Sequence, residues 1–388
     1  MDFTVPEEIE MLRQTLGRFV TEEVIPLERE NSLTWDVAPP DDLRKKVRLR
    51  SKELGLYGAD MPLEVGGGGI PLSGRCLLEM EANFHDTVFF GDVLGGFGGP
   101  SSIILACTGQ QKEKYLSPLM SGEVTSCFAL SEPDAGSDAT AIRTRAEKRD
   151  GAFVLNGTKN IITNAVQADF AMVFAVTNPE LGARGGITCF IVDKESPGFS
   201  VGRSHTCMGF TGFQGELVFE DCRVPAENVL GQEGLGMLLA LDWINAQRVK
   251  TAAFAVGVAR RLLKMSAEYA KQRVQFGNPI ASYQAIQLKL ADMATELFAA
   301  ENMVHRTAWM KDQGMDIRKE AAMTKLYCSE MVNRAAYEAI QIHGHIGCLK
   351  EANVERVYRM VRIFTILEGT SEMQRLAVAG RLLKEERW

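Results

Sequence analysis

Phe153-Val154-Leu155-Asn156-Gly157-Thr158-Lys159-Asn160-Ile161-Ile162-Thr163 is the stretch on which the division of the chain turns. Phe153-Val154-Leu155 and Asn160-Ile161-Ile162-Thr163 are short β-branched and aromatic runs, and Asn156-Gly157 between them is a strong hairpin-turn dipeptide. Phe170–Val176, Ile187–Val192 and Glu216–Phe219 continue the series. A compact antiparallel β-domain of about a hundred residues, a common domain size, is expected here.

The chain on either side is helical. Ile9, Leu12, Leu16, Phe19 and Val20 recur at 3- and 4-residue spacing, which predicts an amphipathic helix. Pro39-Pro40 break the chain before a second helix over Asp41–Leu54, and two more are expected over Leu72–Asn83 and Gly99–Leu119. Gly66-Gly67-Gly68-Gly69 lacks the Lys-Ser/Thr of a P-loop and the spacing of a dinucleotide fingerprint, so it reads as a flexible turn. Beyond Gly231 the helical period returns over Leu235–Lys271, Tyr283–Gln313, Ile317–His343 and Ser371–Glu386. Short polar connections between these runs point to an up-and-down bundle. The expected architecture is α+β and multi-domain: an N-terminal helical domain over 1–122, a middle antiparallel β-domain over 123–232, and a C-terminal four-helix bundle over 233–388.

The 388 residues are 46% hydrophobic and 24% charged, the balance of an ordinary globular protein. A net charge of -7 without a basic stripe argues against a nucleic-acid partner. No run approaches the ~20 apolar residues that span a bilayer. The stretch Met1–Glu8 shows neither a secretory nor a transit pattern, and the eight cysteines are scattered without a C-x-x-C pair. Reduced thiols and a cytoplasmic location are therefore expected.

Five stretches could carry chemistry. Ile366-Leu367-Glu368-Gly369-Thr370-Ser371-Glu372-Met373-Gln374 puts a carboxylate on a glycine-bearing turn ahead of an apolar helix. Glu368 there suits a general base, while Ser371 and Gln374 equally suit an S-x-x-Q capping box. Cys127–Asp138 runs from a strand into a Pro/Gly turn whose hydroxyls and N–H groups suit either a phosphate or flavin edge, or ordinary Asx and Ser turns. Lys159–Asn164 is a strand ending in a polar pair. In Gln272–Ile280, Arg273 could hold a pyrophosphate bidentately or complement its helix C-terminus. His343 and His345 stand at i and i+2, not at the i and i+4 of a helical metal pair, and no metal is expected.

Taken together and in this order, these stretches resemble the acyl-CoA dehydrogenase family over essentially the whole chain. The matching residues are Leu130–Asp138, Ile162–Asn164, Met208-Gly209, Phe219–Asp221, Val224–Asn228, Gln272–Gly277 and Leu367–Gln374. The resemblance implies an FAD lying between the β-domain and the bundle, and oxidation of an acyl-CoA thioester to the trans-2-enoyl-CoA. Glu368 would remove the α-proton while a hydride leaves Cβ for flavin N5. An α-proton is weakly acidic, so the enolate needs stabilisation, which the family draws from the Glu368 N–H and a ribityl hydroxyl. Phe128, Leu130, Ser131, Ile161 and Thr163 match positions lining the flavin ring, and Ser137 one at the boundary of flavin pyrophosphate and CoA. Arg273, Gln275, Phe276, Gln341, Gly344 and His345 match positions reaching the FAD of a neighbouring subunit, and Thr370 and Glu372 match adenosine-side contacts. Asn245 and Arg248, with Gly369, match the acyl-CoA segment.

Some family members carry their base just before that arginine, where this chain has Gln247, which leaves Glu368. The chain departs from the family pattern at Asp134, Asn245, His345, Met360 and Leu367, and the polarity of Asn245 and His345 is compatible with a polar acyl group. The resemblance further implies electron-transfer flavoprotein as acceptor and a homotetramer built as a dimer of dimers. Other readings are a desulfinating, decarboxylating or enoyl-reducing relative, one acting on a carrier-protein thioester, and a binding or assembly subunit without activity.

Overall fold

The computed structural model describes residues 4–96 and 98–384. In chain order its main elements are α1 (Glu7–Phe19), α2 (Asp41–Glu53) and α3 (Leu72–Phe84), then β1 (Ser126–Ala129), β2 (Arg145–Arg149), β3 (Ala152–Thr163), β4 (Phe170–Val176), β5 (Ile187–Asp193), β6 (Phe199–Cys207) and β7 (Phe210–Pro225). The helices α4 (Gly236–Gln272), α5 (Gln284–Asp312), α6 (Arg318–His343), α7 (Val354–Val361) and α8 (Ser371–Leu382) follow. The chain forms two compact units. One takes the residues up to Glu22, Pro71–Asp86 and everything from Asn245 onward; the other takes Glu23–Ile70 and Thr87–Ile244.

The second unit is built on a seven-stranded sheet, in which β1, β4, β2, β3, β7 and β6 follow one another and β5 pairs with β4. Pairing is antiparallel except for β1 with β4 and a single pair, Arg145 with Val176, joining β2 to β4. Ala171, Val173 and Ala175 of β4 face one core with Phe190, Leu155 and Leu217, while Phe170, Met172 and Phe174 face another with Ile103, Ile104, Leu116 and Leu119. Both faces of the central strands are thus covered, which is why they read as unbroken apolar runs and not as an alternation.

Three local expectations change. Asn156-Gly157 is no turn: β3 continues through it with a register shift between Leu155 and Gly157. A Cβ on Gly157 would stand 2.5 Å from Thr144 Oγ1, so the glycine serves a close approach. The hairpin turn is Asp150-Gly151, with φ of 48° and 72°, the paired positive values that a type I′ turn needs. The helix expected over Gly99–Leu119 is present only in its second half, where residues 110–121 run on as one helix through a π segment at Lys112–Leu116, while Ser102–Ala106 forms a separate 3-10 turn. Pro100 and Gly109 at φ 50° supply the breaks. The turn at Gly66–Gly69 is held by hydrogen bonds from Gly67 N to Pro62 O and from Gly69 N to Met61 O, so it is fixed and not flexible.

In the first unit the three long helices lie within a residue or two of their expected limits, and α7 is an addition. α1 buries Ile9, Leu16 and Phe19 as its spacing predicts. The first turn of α3 is capped from outside, Asp312 accepting from Leu72 N at 2.7 Å and Ser73 N at 3.1 Å. Asp86 meets Arg261 of α4 and Arg356 of α7, so one partly buried carboxylate ties two helices.

Candidate active site

The stretch before α8 forms a turn whose backbone is left-handed at two successive residues, Glu368 at φ 55° and Gly369 at φ 94°. For glycine this is free; for glutamate it costs roughly 1–3 kcal/mol and must be imposed by the surroundings. The surroundings do so through the two carbonyls. Gln374 Nε2 donates to Glu368 O and to Gly369 O, both at 2.9 Å. Arg248 Nε donates to Glu368 O at 3.2 Å, and Lys325 Nζ to Gly369 O at 2.8 Å. Arg248 is itself aimed by Asn245, whose Oδ1 accepts from its other arm at 3.0 Å.

This arrangement corrects the expected cap. The residue capping α8 is Thr370, whose side chain accepts from Met373 N at 3.3 Å. Ser371 lies inside the first turn with its hydroxyl buried and unpartnered, and Gln374 turns back to the carbonyls described above. Residue 374 is one position too far along for a capping box that starts at 370.

The Glu368 side chain is half-buried, and loss of hydration pushes its carboxyl up to about 7, against the opposing pull of Arg248 and Lys325. A carboxylate of that basicity is matched to proton abstraction near neutral pH. Lys325 is buried on the apolar face of α6, and burial brings its ammonium down to about 8 although Glu368 opposes the shift. Arg248 is lowered by burial as well.

The rest of the predicted set within this unit is spread along its surface. Arg273, Gln275 and Phe276 lie on an exposed hairpin beyond α4, where Val274-Gln275 pair with Asn278-Pro279 and Phe276, at φ 49°, forms the tip with 94% of its surface open. Gln341, Gly344 and His345 are exposed at the end of α6 and in the turn that follows. Thr370 and Glu372 flank the start of α8.

In the sheet unit, β1 and β3 bring five predicted residues together. Asn160 N donates to Ser131 O at 3.0 Å, and Lys159 Nζ donates to Leu130 O at 3.0 Å and to Glu132 at 2.7 Å. Glu132 also accepts from Arg143 N at 2.6 Å and Thr144 N at 2.9 Å. Burial raises its carboxyl, yet Lys159 and these N–H groups outweigh that and hold it below its usual range. Leu130 and Ser131 are thereby pinned beside Ile161 and Thr163, and the Phe128 ring stacks on Trp243 at 4.3 Å. Ser137 is exposed farther along the loop.

Sequence reasoning quoted Lys159 without giving it a role, and missed Trp243 and Lys325. The last left a signal, being the one lysine among Ala321, Ala322, Thr324, Cys328 and Val332 on the buried face of α6. Among the described residues no group of three or more His, Cys, Asp or Glu is placed to hold a metal, and no helix is long and apolar enough to cross a membrane.

The N-terminal, middle and C-terminal domains of acyl-CoA dehydrogenase match residues 6–123, 127–222 and 234–383. The chain belongs to the acyl-CoA dehydrogenase family. It is an oxidoreductase acting on acyl-CoA, with FAD as its cofactor. Among curated members it is 40% identical to the probable acyl-CoA dehydrogenase YngJ of Bacillus subtilis, over 99% of this chain and 100% of that one. It is 37% identical to the caffeyl-CoA reductase-Etf complex subunit CarC of Acetobacterium woodii, over 98% and 99%. The butyryl-CoA dehydrogenase structure from Megasphaera elsdenii superposes with a TM-score of 0.88 at 35% identity, covering 99% of this chain and 100% of that one.

The residues present fit this family's flavin. In the sheet unit, Ile161 leaves 60% of its surface uncovered beside the hydroxyls of Ser131 and Thr163, an apolar patch with hydrogen-bonding groups at its margin. A flat ring with polar edges matches such a surface.

Proposed function

We propose that Glu368 is the general base of an acyl-CoA dehydrogenase that converts a saturated acyl-CoA into the trans-2-enoyl-CoA. The observation carrying this reading is the clamped left-handed turn at Glu368-Gly369, which presents a carboxylate made basic by its surroundings. Glu368 takes the α-proton onto its carboxylate, and the electron pair of that C–H bond becomes the new Cα–Cβ π bond. Bound FAD supplies the two-electron acceptor, at N5, for the hydride leaving Cβ. The Glu368 N–H, on the fixed turn, is suited to the developing enolate oxygen. Asn245, Arg248, Gly369 and Ser137 are proposed to contact acyl-CoA.

Phe128, Leu130, Ser131, Ile161, Thr163 and Ser137 are proposed to hold the ring and pyrophosphate of FAD, and Thr370 and Glu372 its adenosine side. Arg273, Gln275, Phe276, Gln341, Gly344 and His345 would reach the FAD of a second subunit in a homotetramer. Support for assembly comes from the uncovered Phe276, Leu288, Phe298 and Leu376 of the helical unit. Electron-transfer flavoprotein is the proposed acceptor, a reading supported by the similarity to an Etf-complex subunit. A cytoplasmic location, supported by eight free cysteines, and domain divisions after residues 122 and 232 complete the proposal.

The test is a panel of saturated acyl-CoAs added to purified protein, with flavin bleaching as the readout, alongside Glu368→Gln. Bleaching by one chain-length class and loss of turnover by several powers of ten in the variant are expected. Colourless protein that takes up no FAD, or near-normal turnover in the variant, would sink the reading. Enoyl-CoA reduction by the same residues run backwards is the second reading, favoured by the caffeyl-CoA reductase relative. Flavin bleached by no saturated thioester but reoxidised by an enoyl-CoA would select it.

A further inference from the structure

Helix α6 turns a buried face made of Ala321, Ala322, Thr324, Cys328 and Val332, and Lys325 sits on that face with 0% of its surface exposed. A buried ammonium is unfavourable unless its surroundings answer it. Its hydrogen bond goes to a backbone oxygen, the carbonyl of Gly369 at 2.8 Å. Two further features meet at this place. Glu368 and Gly369 are both held left-handed, a conformation that a glutamate does not keep unaided. The same Gly369 carbonyl also accepts from the neutral amide of Gln374 at 2.9 Å, so an uncharged donor already satisfies part of it. A second donor that is charged adds what the amide cannot, a positive potential beneath the turn.

We propose that Lys325 is a positioning residue for Glu368: its ammonium fixes the turn through the Gly369 carbonyl, and its charge favours the ionised, proton-accepting form of the Glu368 carboxylate. The proposal rests on the reading of Glu368 as the base. The charged groups facing this place are Glu368 and Glu372 near the start of α8, Arg248 of α4, and Glu330 on α6 itself. Arg248 acts on Glu368 in the same direction as Lys325, so removing either cation leaves one behind. The two roles are separable, because Gln374 shares the carbonyl and carries no charge.

The test uses holoenzyme and the straight-chain acyl-CoA that the wild type turns over fastest. The pH profile of kcat/KM is compared for wild type, Lys325→Met, Lys325→Gln, Lys325→Arg and Gln374→Leu, with flavin content and Tm recorded for each. Both neutral lysine variants are expected to move the acid limb upward by about one pH unit, a roughly ten-fold loss of kcat/KM below it, because a nearby cation is gone. Lys325→Arg should keep the limb in place. Gln374→Leu should lower kcat and leave the limb where it was. An unmoved limb in the neutral variants would overturn the proposal, as would failure to recover either of them with flavin bound, which would make Lys325 a folding residue. Glu368→Gln serves as the control: turnover in that variant removes the base reading itself, whereas a dead Glu368→Gln with an unmoved limb removes only the role of Lys325.

Discussion

Arg248 meets Glu368 at its backbone: the guanidinium Nε stands 3.2 Å from the Glu368 carbonyl oxygen, and the other arm is held by Asn245. The cation therefore steadies the peptide that carries the carboxylate, and its charge acts on the carboxylate through space. Arg248→Met should lower kcat/KM by about 100-fold, the scale on which misplacement of a reacting group is felt. Its acid limb should also move to higher pH. Arg248→Lys should move the limb less, since the charge remains while the fork is lost. Steady-state profiles of the two variants, side by side, check both parts.

Glu368 also links activity and stability to pH in opposite senses. Its carboxyl is pushed up to about 7 in the folded chain from an ordinary 4.5. Activity should rise with pH through about 7 as the base ionises. Between the two values the folded state binds more protons than the unfolded one, so stability is full below the lower value and is lost as pH climbs through the upper. Glu368→Gln removes the group that must be ionised. At pH above 8 it should be more stable than wild type by about 2 kcal/mol, a figure reduced for the partial exposure of the side chain. Denaturant melts of both proteins at acid and alkaline pH measure it, and an equal difference at both ends would contradict the linkage.

At the start of α8 the cap is a threonine. Thr370→Ala should cost about 1 kcal/mol, the usual value of a lost N-cap. Ser371→Ala should stay within about 0.5 kcal/mol, because that hydroxyl is buried without a partner. Thermal unfolding of the pair separates the observed cap from the one that the S-x-x-Q pattern suggested.

The ion pair of Lys159 and Glu132 is buried on both sides. Lys159→Met leaves the carboxylate without its cation and should destabilise by about 3 kcal/mol. It also frees the Leu130 carbonyl, so the variant should release FAD more readily on gel filtration. Glu132→Gln with Lys159→Met should recover part of the stability, and a double variant no better than the single one would speak against the pairing.

Much of this was legible in the sequence, and the exceptions share a cause. The faces of α1 and α6 could be read because burial of one side of a helix writes a 3- and 4-residue period, and β4 and β5 because burial of both sides of a strand writes an unbroken apolar run. Glu368 stood out as a carboxylate on a glycine-bearing turn. Asn156-Gly157 misled because the same dipeptide serves a tight turn and a close approach, and only the position of Thr144 distinguishes them. The cap misled by a single residue, since Thr370 and Ser371 carry the same chemistry. Lys325 and Trp243 act on residues 44 and 115 positions away. The apolar neighbours of Lys325 on α6 mark it as buried, but the partner at the far end of such a separation leaves no mark in a local pattern.

Phe276 has one consequence that reaches beyond the single chain. The Phe276 ring meets Tyr283 edge-on at 6.5 Å and otherwise stands in water, so burial against another surface would stabilise it further. If that surface is the flavin-holding face of a second subunit, cofactor retention becomes a matter of mass action. Dilution would then strip flavin from the protein at a concentration set by subunit affinity, and yellow colour would report the state of assembly.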